Sequence, residues 1–295
     1  MNLSGCFTAI VTPFDRSGYV DERTLAAHAD WMINEGVSGV VACGTTGEAA
    51  TLSEDEQHRV MNVVVEAAAG RVPVIAGVGS NNTAASVNAI RRAIKETSVD
   101  AFMAVVPYYS KPSQAGIRAH FEAVIDASDR PVVLYNVPGR TVVSMTAETM
   151  ASLAQDPRVV AIKEASGDMV LGSRTLDATG DNARIFSGDD PTTLPFLALG
   201  GSGCISVVSN CAPRLMSELC DAVQSGELAR ARALQPLVLD WSALLFGEPN
   251  PVPTKLVCEH LGFGQAAVRL PHVLPSEAVT ASICESATAL LSRTV

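Results

Sequence analysis

The sequence is poor in basic residues. It contains 21 lysine and arginine residues against 31 aspartate and glutamate residues in a chain of 295, which gives a formal net charge of −10 at pH 7. A chain this acidic is poorly suited to bind nucleic acid or an anionic membrane surface, and we expect neither as a partner. Local groups must therefore bind any anionic ligand against the overall charge.

The cysteine and histidine patterns of a disulfide framework or a metal site are also missing. The seven cysteines are scattered and include no Cys-x-x-Cys pair, and the five histidines show no ligand spacing. Scattered cysteines of odd number predict reduced thiols in a cytoplasmic protein. We expect no bound metal. No complete dinucleotide-binding or P-loop motif is present, so a nucleotide cofactor is not expected either.

Long hydrophobic runs and targeting segments are absent from the sequence. No apolar stretch approaches the roughly 20 residues that span a bilayer. The start, Met1 to Gly5, has no basic segment followed by an apolar stretch. Hydrophobic residues nevertheless make up 47% of the chain, which is enough to bury a large core. We therefore expect a soluble, cytoplasmic, folded protein.

Eight short apolar runs alternate with longer amphipathic segments. Nearly continuous apolar runs are typical of parallel strands that are covered on both faces. The predicted strands are 7–11, 39–43, 73–79, 100–106, 131–136, 159–164, 183–187 and 203–208. Between them, Ser53 to Glu56 forms a capping-box pattern, Gly70 is predicted to end the helix that follows, and Asp190-Pro191 predicts an N-cap with a first-turn proline.

This strand–helix cycle predicts an α/β fold, specifically a closed (β/α)8 TIM barrel. An open doubly wound sheet is the alternative, because spacing alone does not show closure. From about Gln224 only helical segments follow, around 227–246, 254–261 and 277–292. We expect a catalytic barrel over residues 1–224 and a small C-terminal helical domain over 225–295, with the proline-rich run from Glu248 to Pro253 as a stiff connector.

The active site of such a barrel lies where the strands lead into the helices. Lys163, one of only four lysines, stands near the end of the sixth predicted strand. Burial there would favour the neutral amine, which can form a Schiff base with a ketone. The alternative is a structural lysine paired with a nearby carboxylate such as Glu164 or Asp189.

Further polar side chains are predicted at the same end of the barrel. Tyr135 is either a phenol that transfers protons or a core tyrosine whose hydroxyl already has a hydrogen-bond partner. Arg140 has a fork suited to a carboxylate, although a surface arginine is the alternative. Thr45 and Thr46, flanked by glycines, form either an anion-binding loop or a plain turn. Tyr109 belongs to a loop pair of aromatics that suits an interface as well as a catalytic site.

Six motifs follow one another along nearly the whole chain. They are Gly44-Thr45-Thr46-Gly47-Glu48, Pro107-Tyr108-Tyr109, Tyr135-Asn136-Val137-Pro138-Gly139-Arg140-Thr141, Ile162-Lys163-Glu164-Ala165, Ser187-Gly188-Asp189-Asp190 and Glu248-Pro249-Asn250-Pro251. In this order they resemble the motifs of the dihydrodipicolinate synthases, a family of the N-acetylneuraminate lyase superfamily.

The resemblance implies a class I aldolase-type lyase of lysine (diaminopimelate) biosynthesis. Lys163 would form the Schiff base with pyruvate, and the resulting enamine would attack L-aspartate 4-semialdehyde to give 4-hydroxy-tetrahydrodipicolinate. Thr46, Tyr135 and Tyr109 match the proton-relay triad of the family, with Tyr109 supplied across a dimer interface. No cofactor or metal is needed, because the lysine amine itself serves as the electron sink.

The resemblance also implies the binding residues and the assembly. Thr45 and Thr46, with the backbone at Ile205, match the pocket for the pyruvate carboxylate. Arg140 matches the group that binds the carboxylate of aspartate semialdehyde. Members of the family are commonly homotetramers built as dimers of dimers, and we expect the same here.

Two alternatives to this reaction remain. Another pyruvate-dependent aldolase or a keto-acid dehydratase or deaminase would share the lysine and the tyrosine. A barrel that only binds a small anion would have no chemical need for the complete set of site residues.

In lysine-inhibited bacterial members, histidine often stands where this chain has Glu54, and glutamate where it has Ala85, so the resemblance implies weak or absent inhibition by lysine.

Overall fold

Eight parallel strands close into one barrel in the computed structural model, which describes residues 3–294. Strands that are consecutive in sequence pair with each other, and the last strand pairs with the first in parallel register. The strands are β1 (Gly5–Ala9), β2 (Gly39–Ala42), β3 (Val74–Gly77), β4 (Ala101–Val105), β5 (Val132–Asn136), β6 (Val159–Glu164), β7 (Arg184–Ser187) and β8 (Gly203–Ser206). The predicted closed barrel is confirmed, and the open sheet is excluded because β8 pairs with β1.

All eight predicted strands are present, but several end earlier than predicted. Apolar residues assigned to strand ends, among them Val78, Val106 and Val208, lie beyond the observed strands and are still buried. The amides of Val78 and Val106 donate to carbonyls of the next strand, at 3.0 and 2.9 Å, so the apolar pattern follows the interstrand hydrogen bonds beyond the strand bounds. The sixth strand, Val159–Glu164, has the predicted bounds.

Helices follow every strand around the outside of the barrel. They are α1 (Glu22–Asn34), α2 (Glu54–Ala68), α3 (Thr83–Glu96), α4 (Gln114–Ala127), α5 (Pro138–Thr141), α6 (Ala147–Leu153), α7 (Met169–Thr179), α8 (Thr193–Ala198) and α9 (Pro213–Gln224). The predicted capping box of α2 is confirmed, because the Ser53 hydroxyl accepts from the Glu56 amide and the Glu56 carboxylate accepts from the Ser53 amide. Gly70, at φ +71°, follows the helix end as predicted.

The prediction that Asp190 caps a helix is wrong. The short helical turn begins at Asp190 itself, so the N-cap position is that of Asp189, whose side chain makes no capping hydrogen bond. The Asp190 carboxylate is buried and instead accepts from the backbone amides of Val207 and Val208, at 2.9 and 3.1 Å. Burial raises the pKa of Asp190. The loop after β8 offers interior amides that need an acceptor, and these take the carboxylate away from the local turn.

Side chains alternate between the inside and the outside of the barrel along each strand. In β5 and β6, Val133, Tyr135 and Ala161 belong to the cluster that fills the barrel. Lys163 follows Ala161 by two residues and therefore also faces inward, whereas Glu164 faces the surrounding layer. The strand period thus decides which of two adjacent charged residues reaches the barrel mouth.

The remaining helices are α10 (Leu228–Leu245), α11 (Val252–His260) and α12 (Glu277–Thr294). They match the three helical segments predicted after the barrel, and α10 packs on both α9 and α12. The division into domains at residue 224 stays a prediction. Across the described residues, 3–294, no helix has both the length and the apolar composition needed to cross a bilayer.

Candidate active site

A cavity of about 340 Å³ opens at the carboxyl ends of the strands. Five of the residues predicted from the sequence line it together, namely Thr45, Thr46, Tyr135, Arg140 and Lys163. They come from the loop after β2, the end of β5, the short helix α5 and the end of β6. The barrel therefore gathers side chains that lie more than a hundred positions apart in the sequence.

Lys163 is buried in this cavity beside Tyr135. The two residues are register partners in the β5–β6 ladder. Only 5% of Lys163 is exposed, and its Nζ lies 4.4 Å from the centre of the Tyr135 ring. The amine thus lies in the cavity next to an aromatic hydroxyl-bearing side chain, an arrangement in which a lysine can act as a nucleophile toward a bound carbonyl.

The alternative of a structural ion pair for Lys163 is not borne out among residues 3–294. No carboxylate of that part of the chain lies within 4.0 Å of its Nζ. Glu164 accepts instead from the Asn136 side chain at 2.8 Å and from the Ser166 amide at 2.5 Å. Asp189 accepts from the Thr192 hydroxyl at 2.6 Å.

Gly188 allows the Lys163 side chain to lie against the loop after β7. A Cβ atom at this glycine would stand 2.7 Å from Cε and 3.0 Å from Cγ of Lys163. Real Cβ atoms do not come that close to a neighbouring carbon, so any side chain at position 188 would push the lysine away. Sequence reasoning quoted this glycine only within a motif and gave it no role.

The two threonines sit on a tight loop that joins β2 to the next helical turn. The Gly47 amide donates to the Gly44 carbonyl and the Glu48 amide to the Thr45 carbonyl, both at 3.1 Å. Glu48 ends the loop in the left-handed region, at φ +53°. Thr46 is buried and Thr45 is exposed, and both line the cavity. The alternative of a plain turn does not account for two hydroxyls in the same cavity.

Asn250 is a cavity residue that sequence reasoning missed. Its Nδ2 donates to Thr46 Oγ1 at 3.0 Å, and it lines the cavity with 6% of its surface exposed. Its Oδ1 is buried and has no hydrogen-bond partner among the described residues. The prolines around Asn250 led to the interpretation of the segment as a spacer. The only signal for a role was its place in the Glu-Pro-Asn-Pro motif.

Charged and aromatic groups complete the cavity wall. Arg140 is exposed there, and no carboxylate of residues 3–294 pairs with it. Asp189 and Phe246 line the same cavity and were not predicted as site residues. An unpaired guanidinium together with a carboxylate in one cavity suits a small ligand that carries both charges.

Two predicted residues, Tyr109 and Ile205, do not line the cavity of their own chain. Tyr109 follows β4, stands 86% exposed, and has φ +73°. Ile205 lies in β8 with its side chain buried inside the barrel, and Val207 lines the cavity two residues later. The prediction for Ile205 concerned its backbone, and the prediction for Tyr109 concerned the site of a partner subunit, so both remain predictions.

No group of three or more histidine, cysteine, aspartate or glutamate residues that could hold a metal ion occurs within the described residues, 3–294. The polar groups of the cavity are hydroxyls, one amine, one amide, one guanidinium and one carboxylate. This set can attack a carbonyl and move protons between hydroxyls.

Comparisons with known proteins agree with this geometry. The sequence profile of the Dihydrodipicolinate synthetase family matches residues 2–289. A 4-hydroxy-tetrahydrodipicolinate synthase of Sorangium cellulosum is 49% identical over 293 residues, which cover 99% of this chain and 97% of the relative.

Solved structures are similar over nearly the same length. A dihydrodipicolinate synthase of Bacillus anthracis has a TM-score of 0.94 and 37% identity, and the match covers 98% of this chain and 99% of the other. A dihydrodipicolinate synthase of Acinetobacter baumannii, whose structure contains pyruvate, has a TM-score of 0.94 and 36% identity, with the same coverage of 98% and 99%.

Proposed function

The chain belongs to the dihydrodipicolinate synthetase family, and we propose that it condenses pyruvate with L-aspartate 4-semialdehyde to give 4-hydroxy-tetrahydrodipicolinate in lysine (diaminopimelate) biosynthesis. One observation carries the proposal. Lys163 is a buried amine without a carboxylate partner among residues 3–294, and it lies beside Tyr135 in the cavity that holds both threonines and Arg140. Relatives at 45–49% identity are synthases of this kind, which supports the same reaction here.

The first half of the reaction binds pyruvate to the enzyme. The neutral amine of Lys163 attacks the C2 carbonyl, the carbonyl oxygen leaves as water, and an iminium forms between Nζ and C2. Loss of a proton from C3 then gives the enamine. Thr45 and Thr46, with the backbone at Ile205, bind the carboxylate and hold C2 near the amine, so that the attack takes place within one complex.

The second half of the reaction forms the carbon–carbon bond. C3 of the enamine attacks the aldehyde carbon of the semialdehyde, whose oxygen takes up a proton, and the iminium is restored. The amino group of the new chain then attacks C2, closes the ring and displaces Lys163. Arg140 binds the carboxylate of the semialdehyde, and Asp189, a carboxylate in the same cavity, suits its ammonium group.

Proton transfer in both halves is assigned to Tyr135, Thr46 and Tyr109. The Thr46 oxygen accepts one hydrogen bond from Asn250, so its proton and a second lone pair are free to relay. Thr45 lines the cavity as well, and comparison of Thr45→Val with Thr46→Val tests the assignment. A larger loss of proton exchange at pyruvate C3 with Thr45→Val would move the relay role to Thr45.

We also propose that the active protein is a homotetramer built as a dimer of dimers. Tyr109 is 86% exposed in the single chain and does not line the cavity of its own subunit. A large exposed aromatic side chain on a loop is typical of an interface. In the proposed dimer, its hydroxyl reaches the cavity of the neighbouring subunit and completes the relay.

Trapping of the Schiff base with borohydride tests the proposed function. The protein is incubated with pyruvate and borohydride, and the adduct is located by mass spectrometry of peptides. We expect a reduced pyruvyl group on Lys163 and none in Lys163→Ala. A Lys163→Ala variant that still traps pyruvate would defeat the assignment.

Turnover with different second substrates tests the choice of reaction. We expect aspartate semialdehyde to be consumed with pyruvate far faster than N-acetylneuraminate or keto-sugar acids are cleaved or dehydrated. The reverse preference would identify another aldolase or a dehydratase of the superfamily. Trapping of pyruvate with no turnover of any of these compounds would indicate a binding protein.

A further inference from the structure

A second buried lysine, Lys255, lies outside the cavity and takes no part in the proposed chemistry. It stands in α11, and its ammonium group forms an ion pair with the carboxylate of Glu48. Only 2% of the Lys255 side chain and 1% of the Glu48 side chain are exposed. A charge pair buried this completely is unusual, since both groups must give up their water.

We propose that Lys255 is a positioning residue. Through Glu48, it holds the threonine loop, Gly44 to Glu48, in the position that pyruvate binding requires. Glu48 is the last residue of the loop Gly44 to Glu48, two residues after Thr46. It adopts a left-handed backbone at φ +53°, a conformation that costs free energy for a residue with a side chain and that surrounding contacts offset. The buried ion pair is one of the contacts that hold the side chain of this residue.

The contacts of the pair hold both partners in one orientation. The Lys255 ammonium also donates to the Ala267 carbonyl at 2.7 Å and lies 3.9 Å from the centre of the Phe14 ring. The second carboxylate oxygen of Glu48 accepts from the Arg269 amide at 3.2 Å. Each group therefore has further partners, so the carboxylate cannot rotate without the loss of a hydrogen bond.

The same chain segment contacts the loop at a second point. Asn250, two residues before α11 begins, donates to Thr46 Oγ1 at 3.0 Å. The segment from Asn250 to Lys255 thus holds the loop at Thr46 and again at Glu48. A shift of α11 would move both contacts and with them the hydroxyls that bind the pyruvate carboxylate.

Stability alone is a weak explanation for this pair. Replacement of a buried ion pair by apolar side chains of similar volume is often neutral or stabilising. Burial lowers the pKa of Lys255 to about 8 even though Glu48 opposes the shift. Cys258 on the same helix and Arg269 are the other charged or titratable groups that act on Lys255. Glu48 is therefore the main charged group that stabilises the buried ammonium.

The test rests on the proposed function and uses the first half-reaction alone. Lys255→Met, Glu48→Gln and the double variant are compared with the wild type for the pyruvate concentration that gives half-maximal borohydride trapping at Lys163. We expect this concentration to rise about 10-fold or more in each variant, because a displaced loop misplaces the carboxylate. In turnover, KM for pyruvate should rise, while KM for aspartate semialdehyde, which Arg140 binds on another loop, should change less than about 2-fold.

The double variant separates positioning from folding. It leaves no unpaired buried charge, so it should fold even where Lys255→Met does not. Val257→Ala, a fully buried change on the same helix, is the matched control; it should lower the melting temperature and leave pyruvate trapping unchanged. Folded Glu48→Gln and double variants that trap pyruvate like the wild type would overturn the proposal. Failure of the wild type to trap pyruvate would instead defeat the proposed function.

Discussion

Tyr135 and Lys163 are register partners in the β5–β6 ladder, and the Lys163 Nζ lies 4.4 Å from the centre of the Tyr135 ring. Neighbouring strands lie about 4.8 Å apart, and both residues face the barrel interior. Backbone hydrogen bonds of the sheet, rather than flexible loops, therefore fix the positions from which the phenol and the amine enter the cavity.

Tyr135→Phe removes the phenol oxygen and keeps the ring over Lys163. We expect kcat to fall about 10²- to 10⁴-fold, because the proton relay loses one hydroxyl. Borohydride should still trap pyruvate on Lys163, but more slowly. Tyr19→Phe, at a tyrosine that is 69% exposed, is the control and should behave like the wild type. A Tyr135→Phe variant with normal kcat would remove the phenol from the relay.

Arg140→Ala removes the guanidinium from the cavity wall. We expect KM for aspartate semialdehyde to rise about 10- to 100-fold, the value of one or two charge-assisted hydrogen bonds. Pyruvate trapping at Lys163 should remain normal. Arg214→Ala, which breaks an exposed pair with Glu35, is the control. If Arg140→Ala instead impaired pyruvate trapping, Arg140 would have to be assigned to the pyruvate subsite rather than to the subsite for aspartate semialdehyde.

A mixture of two defective variants tests whether Tyr109 acts across an interface. Lys163→Ala and Tyr109→Phe are each expected to be impaired alone. In a mixed dimer, the subunit that keeps Lys163 receives the intact Tyr109 of its partner. Random assembly of equal amounts should therefore restore about a quarter of wild-type sites. Activity no greater than the mean of the two separate variants would show that Tyr109 does not serve the neighbouring subunit.

Lysine should inhibit this protein weakly or not at all. The resemblance places inhibitor-binding groups at Glu54 and Ala85, where this chain has neither the histidine nor the glutamate of inhibited members. The Glu54 carboxylate is occupied by Arg92 at 2.6 Å, and Ala85 has no carboxylate to hold the α-amino group of lysine. Turnover is measured against rising lysine concentration. Half-inhibition at sub-millimolar lysine would contradict the prediction.

Acid should weaken the fold partly through Glu56. The hydrogen bond from Arg269 lowers the pKa of Glu56 from its ordinary value of 4.5 to about 2. A group whose folded pKa is depressed stabilises the fold above its unfolded pKa, and this contribution is lost as the pH falls from 4.5 to about 2.

The variant Glu56→Gln keeps a side chain that can complete the capping box and removes the charge. Its free energy of unfolding near neutral pH should be about 1–3 kcal/mol below the wild-type value. Thermal unfolding should then show a smaller loss of stability on acidification than in the wild type. Glu285→Gln, at an exposed residue, serves as control. Parallel pH curves for wild type and Glu56→Gln would refute this source of stability.

The strand pattern and the position of Lys163 could be predicted because they depend on local periodicity. Val159 to Glu164 forms a largely apolar strand with Lys163 one residue before its end, and the site of a barrel lies at that end of its strands. The two-residue period also decides that Lys163 rather than Glu164 faces inward. The capping box at Ser53 was readable for the same reason, since both of its hydrogen bonds join residues three positions apart.

The hydrogen bonds of Asp190 show why a prediction from neighbouring residues can fail. Its neighbours in sequence predicted a helix cap, but two amides from the loop after β8 bind its carboxylate in the interior. A sequence pattern describes the donors nearby in the chain. It does not describe donors that closure of the barrel brings from another strand.

By itself, the sequence determined the strand–helix cycle, the inward-facing lysine and tyrosine, and the loops that carry the threonines and Arg140. Only the tertiary structure decided that Asn250 would reach Thr46 across 204 positions and that Lys255 would meet Glu48 across 207. Periodicity reports whether a residue is buried or exposed within its own element. The partner that a buried polar group finds depends on how distant elements pack, and this is fixed only when the barrel closes and the last helices dock against it.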